Sequence, residues 1–374
     1  MEDSSRLKEV AKLFFRLGLT AFGGPAAHIA MMQDEVVTKR KWLTEQHFLD
    51  LMGATNLIPG PNSTEMAIHI GQERAGWKGL IVAGLCFILP AVVITGIFAW
   101  LYKQYGQVPQ VQPFIYGIKP AIIAIILAAV YPLAKKSIKT FQLAVIGISV
   151  LVLSLLHFNE IYLMFGAGIL ALILTSFRTN KNLNSFLALS FLQIPGTAFI
   201  SISNLRLFFI FLKIGAILYG SGYVLFAFLD TELVSAGLLS RQQLIDAIAV
   251  GQFTPGPVFS SVTFIGYQIN GLTGAILATI GIFLPSFVFV ALLNPLVLKM
   301  RHSQLFSVFL DAVNVASVAI ILSVCFSMGK DSLTDWRSIF IGILSMILTF
   351  GYKKINTAWI VLGGSLLGYL LTLI

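Results

Sequence analysis

Apolar stretches of membrane length follow one another along this chain, with only short polar loops between them. They cover about 11–31, 47–70, 77–101, 113–133, 141–157 and 159–176, then about 205–228, 243–266, 272–294, 308–327, 337–350 and 355–374. A bilayer-crossing helix needs roughly 17–25 apolar residues. Most runs meet that length, although 337–350 is short. A moderate run at 185–202 contains Pro195-Gly196 and reads as interfacial or re-entrant. The pattern predicts about 10 to 13 helical elements. The first two runs of each set carry Gly-rich or Pro-rich breaks, the sharpest being Pro59-Gly60-Pro61 and Pro255-Gly256-Pro257.

The two sets of runs match each other. The Pro-Gly-Pro motifs are 255 − 59 = 196 apart, and the same offset pairs Thr44 with Ser240, Gln46 with Gln242 and Asp50 with Asp246. At 266 − 71 = 195, Gly71 pairs with Gly266, Gly76 with Gly271, Gly79 with Gly274 and Pro90 with Pro285. At 213 − 16 = 197, Arg16 pairs with Lys213, Gly18 with Gly215, Gly23 with Gly220 and Glu35 with Glu232. Ordered offsets that drift by single residues indicate a duplicated unit. The expected division is a first membrane repeat at 1–180, a connecting segment at 181–204 and a second repeat at 205–374.

Composition assigns the pattern to a class. The chain is 57% hydrophobic and 11% charged, with a mean hydropathy of +0.88. A soluble domain carries roughly 25% charged residues, so the chain reads as an all-α polytopic integral membrane protein in contact with membrane lipid. A net charge of +9 would suggest nucleic acid for a soluble protein. Here the positives lie in short loops, so they orient the chain in the bilayer and no nucleic-acid partner is expected. Lys135, Lys136 and Lys139 follow the fourth run of the first set. In the second set the excess falls at Lys299 and Arg301 and at Lys353 and Lys354, one loop out of step, while Lys330 and Arg337 oppose the shift. The displacement predicts repeats of inverted topology, an architecture that places substrate at the midplane between the halves. Residues 1–10 carry both signs, and no cleavable signal peptide is expected.

Chemistry enters at the breaks. Proline lacks an N–H and clashes with the preceding turn, so Pro59, Pro61, Pro255 and Pro257 should each end or start a helical piece. Gly60 and Gly256 release the backbone between them. A helix starting at Pro61 would line its first turn with Asn62, Ser63 and Thr64, and its partner with Ser260, Ser261 and Thr263. Free N–H groups at such a start favour an anion. The bland alternative is a proline kink, weakened by the motif's recurrence at matching positions. Arg16 and Lys213 sit in the first run of each half, where they would attract a divalent oxyanion or snorkel to an interface. Gly23, Gly24 and Gly220 follow, where backbone can approach a ligand closely. Glu65 and His69 are candidates for carrying a proton, or Glu65 pairs with Arg16 or His69. Glu35 and Glu232 are candidates for capping or ion pairing, and Asp50 and Asp246 for helix-start chemistry.

Two cysteines, Cys86 and Cys325, and five scattered histidines make no metal site. With no P-loop and no catalytic triad signature, neither a cofactor nor an enzyme activity is expected.

FFRLGLTAFGGPAAHIAMMQDEVV at 14–37, WLTEQHFLD at 42–50, NLIPGPNSTEMAIHIG at 56–71 and GWKGLIVAGLCFILPA at 76–91 carry a likeness, as do FLKIGAILYGSGYVL at 211–225, LLSRQQLIDAIAVGQFTPGPV at 238–258 and GYQINGLTGAILATIGIFLPSF at 266–287. The sequence resembles the chromate ion transporter family in its full-length, two-domain form. The resemblance implies a multi-pass protein of the bacterial inner membrane that exports chromate, or the similarly shaped sulfate, driven by an ion gradient such as protons. It also implies antiparallel domains. Some members have longer termini and loops, and this chain is compact. A passive anion channel of the same fold stays open as an alternative, and a homodimer is compatible with such a fold.

Overall fold

The computed structural model describes residues 2–22, 24–106, 108, 111–179, 204–219, 222–301, 304–352 and 355–373. The 185–202 run falls outside the described residues. The first half folds as α1 (Glu2–Thr20), α2 (Gly24–Gln33), α3 (Glu45–Thr55), α4 (Asn62–Tyr105), α5 (Gln112–Ser137), α6 (Phe141–Leu155) and α7 (Glu160–Thr179). The second half repeats the order: α8 (Asn204–Ile217), α9 (Val224–Leu229), α10 (Arg241–Phe253), α11 (Ser261–Arg301), α12 (Gln304–Ser332), α13 (Trp336–Gly351) and α14 (Thr357–Thr372). A π-helical turn follows α2 at Asp34–Lys39 and α9 at Asp230–Val234. The fourteen α-helices among the described residues exceed the expected range, because each first run splits into two helices where Gly24 and Tyr223 restart the chain. Among the described residues, four stretches are long and apolar enough to cross a membrane: Asn62–Tyr105, Gln112–Ser137, Val258–Leu292 and Leu305–Ser332. The protein is an all-α polytopic membrane protein.

α4 and α11 are not straight. Gly76 has φ 59 and ψ −149, Gly271 has φ 60 and ψ −149, and both conformations suit glycine alone. Each marks a reversal. A Cβ on Gly71 would overlap the Gly79 carbonyl, and one on Gly266 the Gly274 carbonyl, so the two arms touch backbone to backbone. At ~1.5 Å per residue the short arm 62–74 is about 20 Å long, less than the ~30 Å hydrocarbon core. The long arm 77–105 reaches about 43 Å and exceeds it. His47 Nε2 lies 3.2 Å from Glu73 Oε2, so the start of α3 meets the end of the short arm. α3 and the short arm are therefore the two legs of a hairpin with Pro-Gly-Pro at its tip.

The same contacts fix where the reversals lie. Arg74 pairs with Glu9 at 2.7 Å, placing the beginning of α1 beside the Gly76 reversal. Asn270 Nδ2 donates to Asn204 Oδ1 at 3.1 Å, placing the beginning of α8 beside the Gly271 reversal. Gln268 Nε2 donates to Ala99 O at 3.0 Å, and Lys103 lies over the Tyr267 ring. The Gly271 reversal is thus beside the C-terminal end of α4, whereas the Gly76 reversal forms the beginning of its long arm.

Two features of the sequence acquire a physical cause. Pro61 is the N-cap of α4, one residue earlier than a first-turn position, while Pro257 caps a 3₁₀ turn, Val258–Ser260, that leads into α11. A 3₁₀ turn rises ~2.0 Å per residue against ~1.5 Å in an α-helix. The second half therefore covers the distance from Pro-Gly-Pro to the reversal with one residue fewer, and the offset falls from 196 to 195. Asp50 and Asp246 do not start their helices. Thr44 and Ser240 do, accepting from the N–H groups of His47 and Gln243, because a short hydroxyl side chain reaches the third helical N–H.

The halves are interleaved. α1 packs along the long arm of α4, and α8 along that of α11. The last two helices of each half lie on the other half's long helix: α13 and α14 on α5, α6 and α7 on α12. Gly117 of α5 lets α14 approach at Gly364 and Gly368, with Phe114 stacked on Tyr369 at 4.5 Å. Gly147 of α6 faces Val315 of α12, and Gly342 of α13 faces Pro120 of α5. These two contacts are related by 315 − 120 = 195 and 342 − 147 = 195. In hydrocarbon no hydrophobic force drives helices together, and small residues that permit close backbone contact do that work.

Candidate functional site at the paired helix breaks

Each Pro-Gly-Pro tip is seated on the other half. Gly60 N–H donates to Leu218 O just past the end of α8, and Gly256 N–H donates to Ala21 O just past the end of α1, both at 2.8 Å. Gly60 has φ 136 and Gly256 φ 89, a region closed to other residues without strain. A Cβ on Gly60 would overlap the Glu65 carboxylate and come 2.7 Å from Ser286 Oγ of α11. One on Gly256 would come 2.9 Å from Ala91 Cβ of α4 and 3.1 Å from Gly18 O of α1. Ser286 and Ala91 are themselves equivalent, at 286 − 91 = 195.

No side chain caps the start of α4 or of the 3₁₀ turn before α11. Around these starts the hydroxyls are buried: Ser63, Thr64, Ser260, Ser261 and Thr263 are all under 4% exposed. Ser63 Oγ lies 3.4 Å from His28 Nδ1 of α2. Thr95 Oγ1 of α4 donates to Ser260 Oγ at 3.2 Å, linking the halves. Thr64 Oγ1 and Ser261 Oγ have no partner. An unpaired polar group costs several kcal/mol in hydrocarbon, so the two orphaned hydroxyls mark places where a ligand would be stabilised. Asn62 Nδ2 donates to Asn56 Oδ1 at 2.8 Å, beside an open cleft of about 200 Å³ lined by Asn56, Phe306, Ser307, Asp311 and Asn314.

Glu65 is fully buried on the short arm of α4. Ser286 Oγ donates to its Oε1 at 3.4 Å, and its Oε2 has no partner. His69, one turn further on, is 1% exposed with neither ring nitrogen partnered. Arg16 and Lys213 are each engaged within their own half. Arg16 Nη2 pairs with Glu35 Oε2 at 2.6 Å, and Lys213 Nζ with Glu232 Oε1 at 2.7 Å. Both cations are about half exposed, and both pairs tie a first helix to the π-helical turn that follows. Glu35 also holds Lys39 and Arg40. Gly24 begins α2 with φ 82 close to the Tyr223 hydroxyl; Gly23 and Gly220 lie outside the described residues. Among the described residues there is no group of three His, Cys, Asp or Glu placed to hold a metal.

Sequence reasoning missed His28, Thr95, Ser286 and Gln252. Ser286 had a signal, since it follows Pro285 where the first half has Ala91 after Pro90. His28, Thr95 and Gln252 carry none that separates them from ordinary polar residues.

One family model, described as Chromate transporter, matches the chain twice, over residues 8–172 and 205–369. The chain belongs to the chromate transporter family. The two matches are offset by 205 − 8 = 197, the spacing of Arg16 and Lys213. A chromate transport protein of Cupriavidus metallidurans is 30% identical over 97% of this chain and 92% of its own length. A probable chromate transport protein of Synechococcus elongatus is 29% identical over 93% of this chain and 91% of its own length. A chromate transport protein of Pseudomonas aeruginosa is 28% identical over 96% and 90%. These relatives are transport proteins, not enzymes. No solved structure matches the chain.

Proposed function

We propose that this chromate transporter family member is a secondary transporter. It would export chromate, or a related divalent oxyanion such as sulfate, across the cytoplasmic membrane of a bacterium by alternating access. The observation that carries the reading is the pair of uncapped helix starts after Pro61 and Pro257, each with an orphaned buried hydroxyl, Thr64 and Ser261. A dianion between them would accept from free N–H groups and from Ser63, Thr64, Ser260 and Ser261. The reciprocal seating of Gly60 and Gly256 supports a site shared by the two repeats, 1–180 and 205–374.

Inverted topology is supported by the two reversals at opposite ends of the long arm of α4. The end with the Gly76 reversal carries Arg6, Lys8, Arg40, Lys41, Arg74 and Lys78, which favours it as the cytoplasmic end. Rocking one repeat against the other would break and remake the cross-half contacts of Gly60, Gly256 and Ser286. Glu65 is the favoured proton carrier. Its carboxyl touches both the Pro-Gly-Pro tip and Ser286 of the other repeat, and His69 stands one turn away. Whether two chains act as a dimer leaves this chemistry unchanged.

The test is flux in everted vesicles with chromate, sulfate and molybdate, with and without a proton gradient. Accumulation of chromate against its gradient only when the proton gradient is present supports the transporter. Flux that never exceeds equilibrium means a passive anion channel.

A further inference from the structure

Residues that line the cleft beside Asn56 have counterparts in the duplication. Asn56, Asp311 and Asn314 correspond to Gln252 (252 − 56 = 196), Tyr116 (311 − 116 = 195) and Lys119 (314 − 119 = 195). α5, which carries Lys119, packs against α10, which leads to Gln252 and Pro255. The backbone is repeated and the chemistry is not: one set of positions has a pair of asparagines, the other a lysine and a glutamine.

Lys119 stands apart from the other partly buried cations among the described residues. It is partly buried in α5. Of the other partly buried cations among the described residues, Arg74 and Arg241 hold carboxylates and Arg337 lies over the Trp336 ring. Among the described residues, no carboxylate lies within 4.0 Å of the Lys119 ammonium. Asp246 of α10 is within electrostatic reach of it but outside ion-pair distance. Asp246 has direct partners of its own. Its carboxylate accepts from the Tyr102 hydroxyl at 2.6 Å and from Gln242 Nε2 at 3.3 Å. Gln252 is 6% exposed, its Oε1 accepts from the Tyr223 hydroxyl at 3.5 Å, and its Nε2 donor has no partner. An ammonium with no direct ion pair on α5 and an orphaned amide donor on α10 thus belong to two helices packed against each other. Lysine serves well as a point-charge partner for tetrahedral anions. Nearby Asp246 limits the local positive charge, which suits a station that must release its ion as well as hold it.

We propose that the end of the bundle opposite the Asn56 cleft carries a second anion station, in which Lys119 and Gln252 hold a small divalent oxyanion next to Pro255–Pro257. This rests on the transport reading above and adds a direction to it, because only one of the two equivalent sets of positions carries the lysine. The sidedness of the arrangement makes it testable with chromate as the probe. Right-side-out vesicles present chromate to the Lys119 end, and everted vesicles to the Asn56 end. Lys119→Gln raises the KM in right-side-out vesicles about tenfold, the size of a lost charge-assisted hydrogen bond. The KM in everted vesicles stays within about twofold, and Lys119→Arg restores most of the loss. A lysine that only neutralised Asp246 would change stability without separating the two faces. Should Lys119→Gln fail to accumulate in the membrane, Gln252→Leu decides, with the same one-sided rise expected. Wild-type flux with no one-sided KM change in either variant overturns the station and leaves the transport reading standing. A wild-type protein that moves no oxyanion from either face overturns both.

Discussion

In the first hairpin the arm after Pro-Gly-Pro carries Ser63, Thr64, Glu65 and His69; in the second, the arm carries Ser261 and Thr263, with no acid and no histidine up to the Gly271 reversal. The backbones differ far less. Gly76 and Gly271 match within one degree in φ and share the same ψ, the glycine pairs across the arms make equivalent contacts, and each tip docks on the other half by one N–H bond of 2.8 Å. Geometry that is duplicated serves both halves alike, which suits an anion cradle. Chemistry found in one copy alone is free to do a different job. The same division separates Lys119 and Gln252 from their equivalents Asn314 and Asn56.

The comparison breaks most severely at the tips. Gly60→Ala and Gly256→Ala both force a non-glycine residue into a positive φ, at about 1–3 kcal/mol each. Gly60→Ala is the worse of the two, because its Cβ overlaps the Glu65 carboxylate while that on Gly256 meets the smaller Ala91 methyl. Thermal unfolding in detergent should rank wild type, then Gly256→Ala, then Gly60→Ala; the reverse order would mean the tips are not seated as described. Gly76→Ala and Gly271→Ala meet no atom within 4 Å, so only backbone strain remains. Their losses should be equal, at about 1–3 kcal/mol each.

Glu65 tests the asymmetry. Glu65→Gln keeps the shape and the Ser286 contact but cannot shuttle a proton. Flux driven by a proton gradient should fall at least about tenfold, while chromate exchange at equilibrium survives. Equal loss of both would make Glu65 a packing residue.

Milder effects are expected at the paired surface cations. Lys213→Gln frees Glu232 from a half-exposed bridge and should cost no more than about 1 kcal/mol. Arg16→Gln leaves Glu35 with Lys39 and Arg40 and should cost less still. If both variants also transport chromate normally, these cations hold the π-helical turns and do not attract substrate. Glu35 adds a pH signature. Burial pushes its carboxyl up, but hydrogen bonds and charges from Lys39 and Arg16 outweigh that and hold it below the usual carboxylate range. A lowered folded value means that its contribution is complete above the unfolded value of about 4.3. It fades as pH falls through the folded value, so acid unfolding should begin at higher pH in Glu35→Gln.

Much of this was legible in the sequence because proline and glycine report backbone directly. The Pro-Gly-Pro pairs, the glycine spacing and the Arg16–Lys213 and Glu35–Glu232 matches were read from the offsets, whereas the ion pairs Arg16–Glu35 and Lys213–Glu232 came from the structure and take Arg16 away from the pairing with Glu65 that the sequence left open. The hairpins were not legible. A run such as 47–70 has the same apolar content whether it crosses a membrane or turns back halfway, and the deciding facts are the positive φ of Gly76 and the contact of Gly71 with Gly79. The interleaving of α5 with α13 and α14 was hidden for a similar reason, since glycine on a helix face shows that something approaches but not what. Lys119 drew no notice inside the 113–133 run, because its lack of a direct ion pair is a fact of the fold and not of the sequence.

The central claim is one oxyanion site shared by the two breaks. Equilibrium binding of chromate to the purified protein tests it most directly, with wild type, Thr64→Val and Ser261→Ala compared side by side. The account predicts that either substitution alone weakens binding at the shared site about threefold to tenfold without halving the number of sites. Two independent sites, each removed by the substitution in its own repeat, would contradict it.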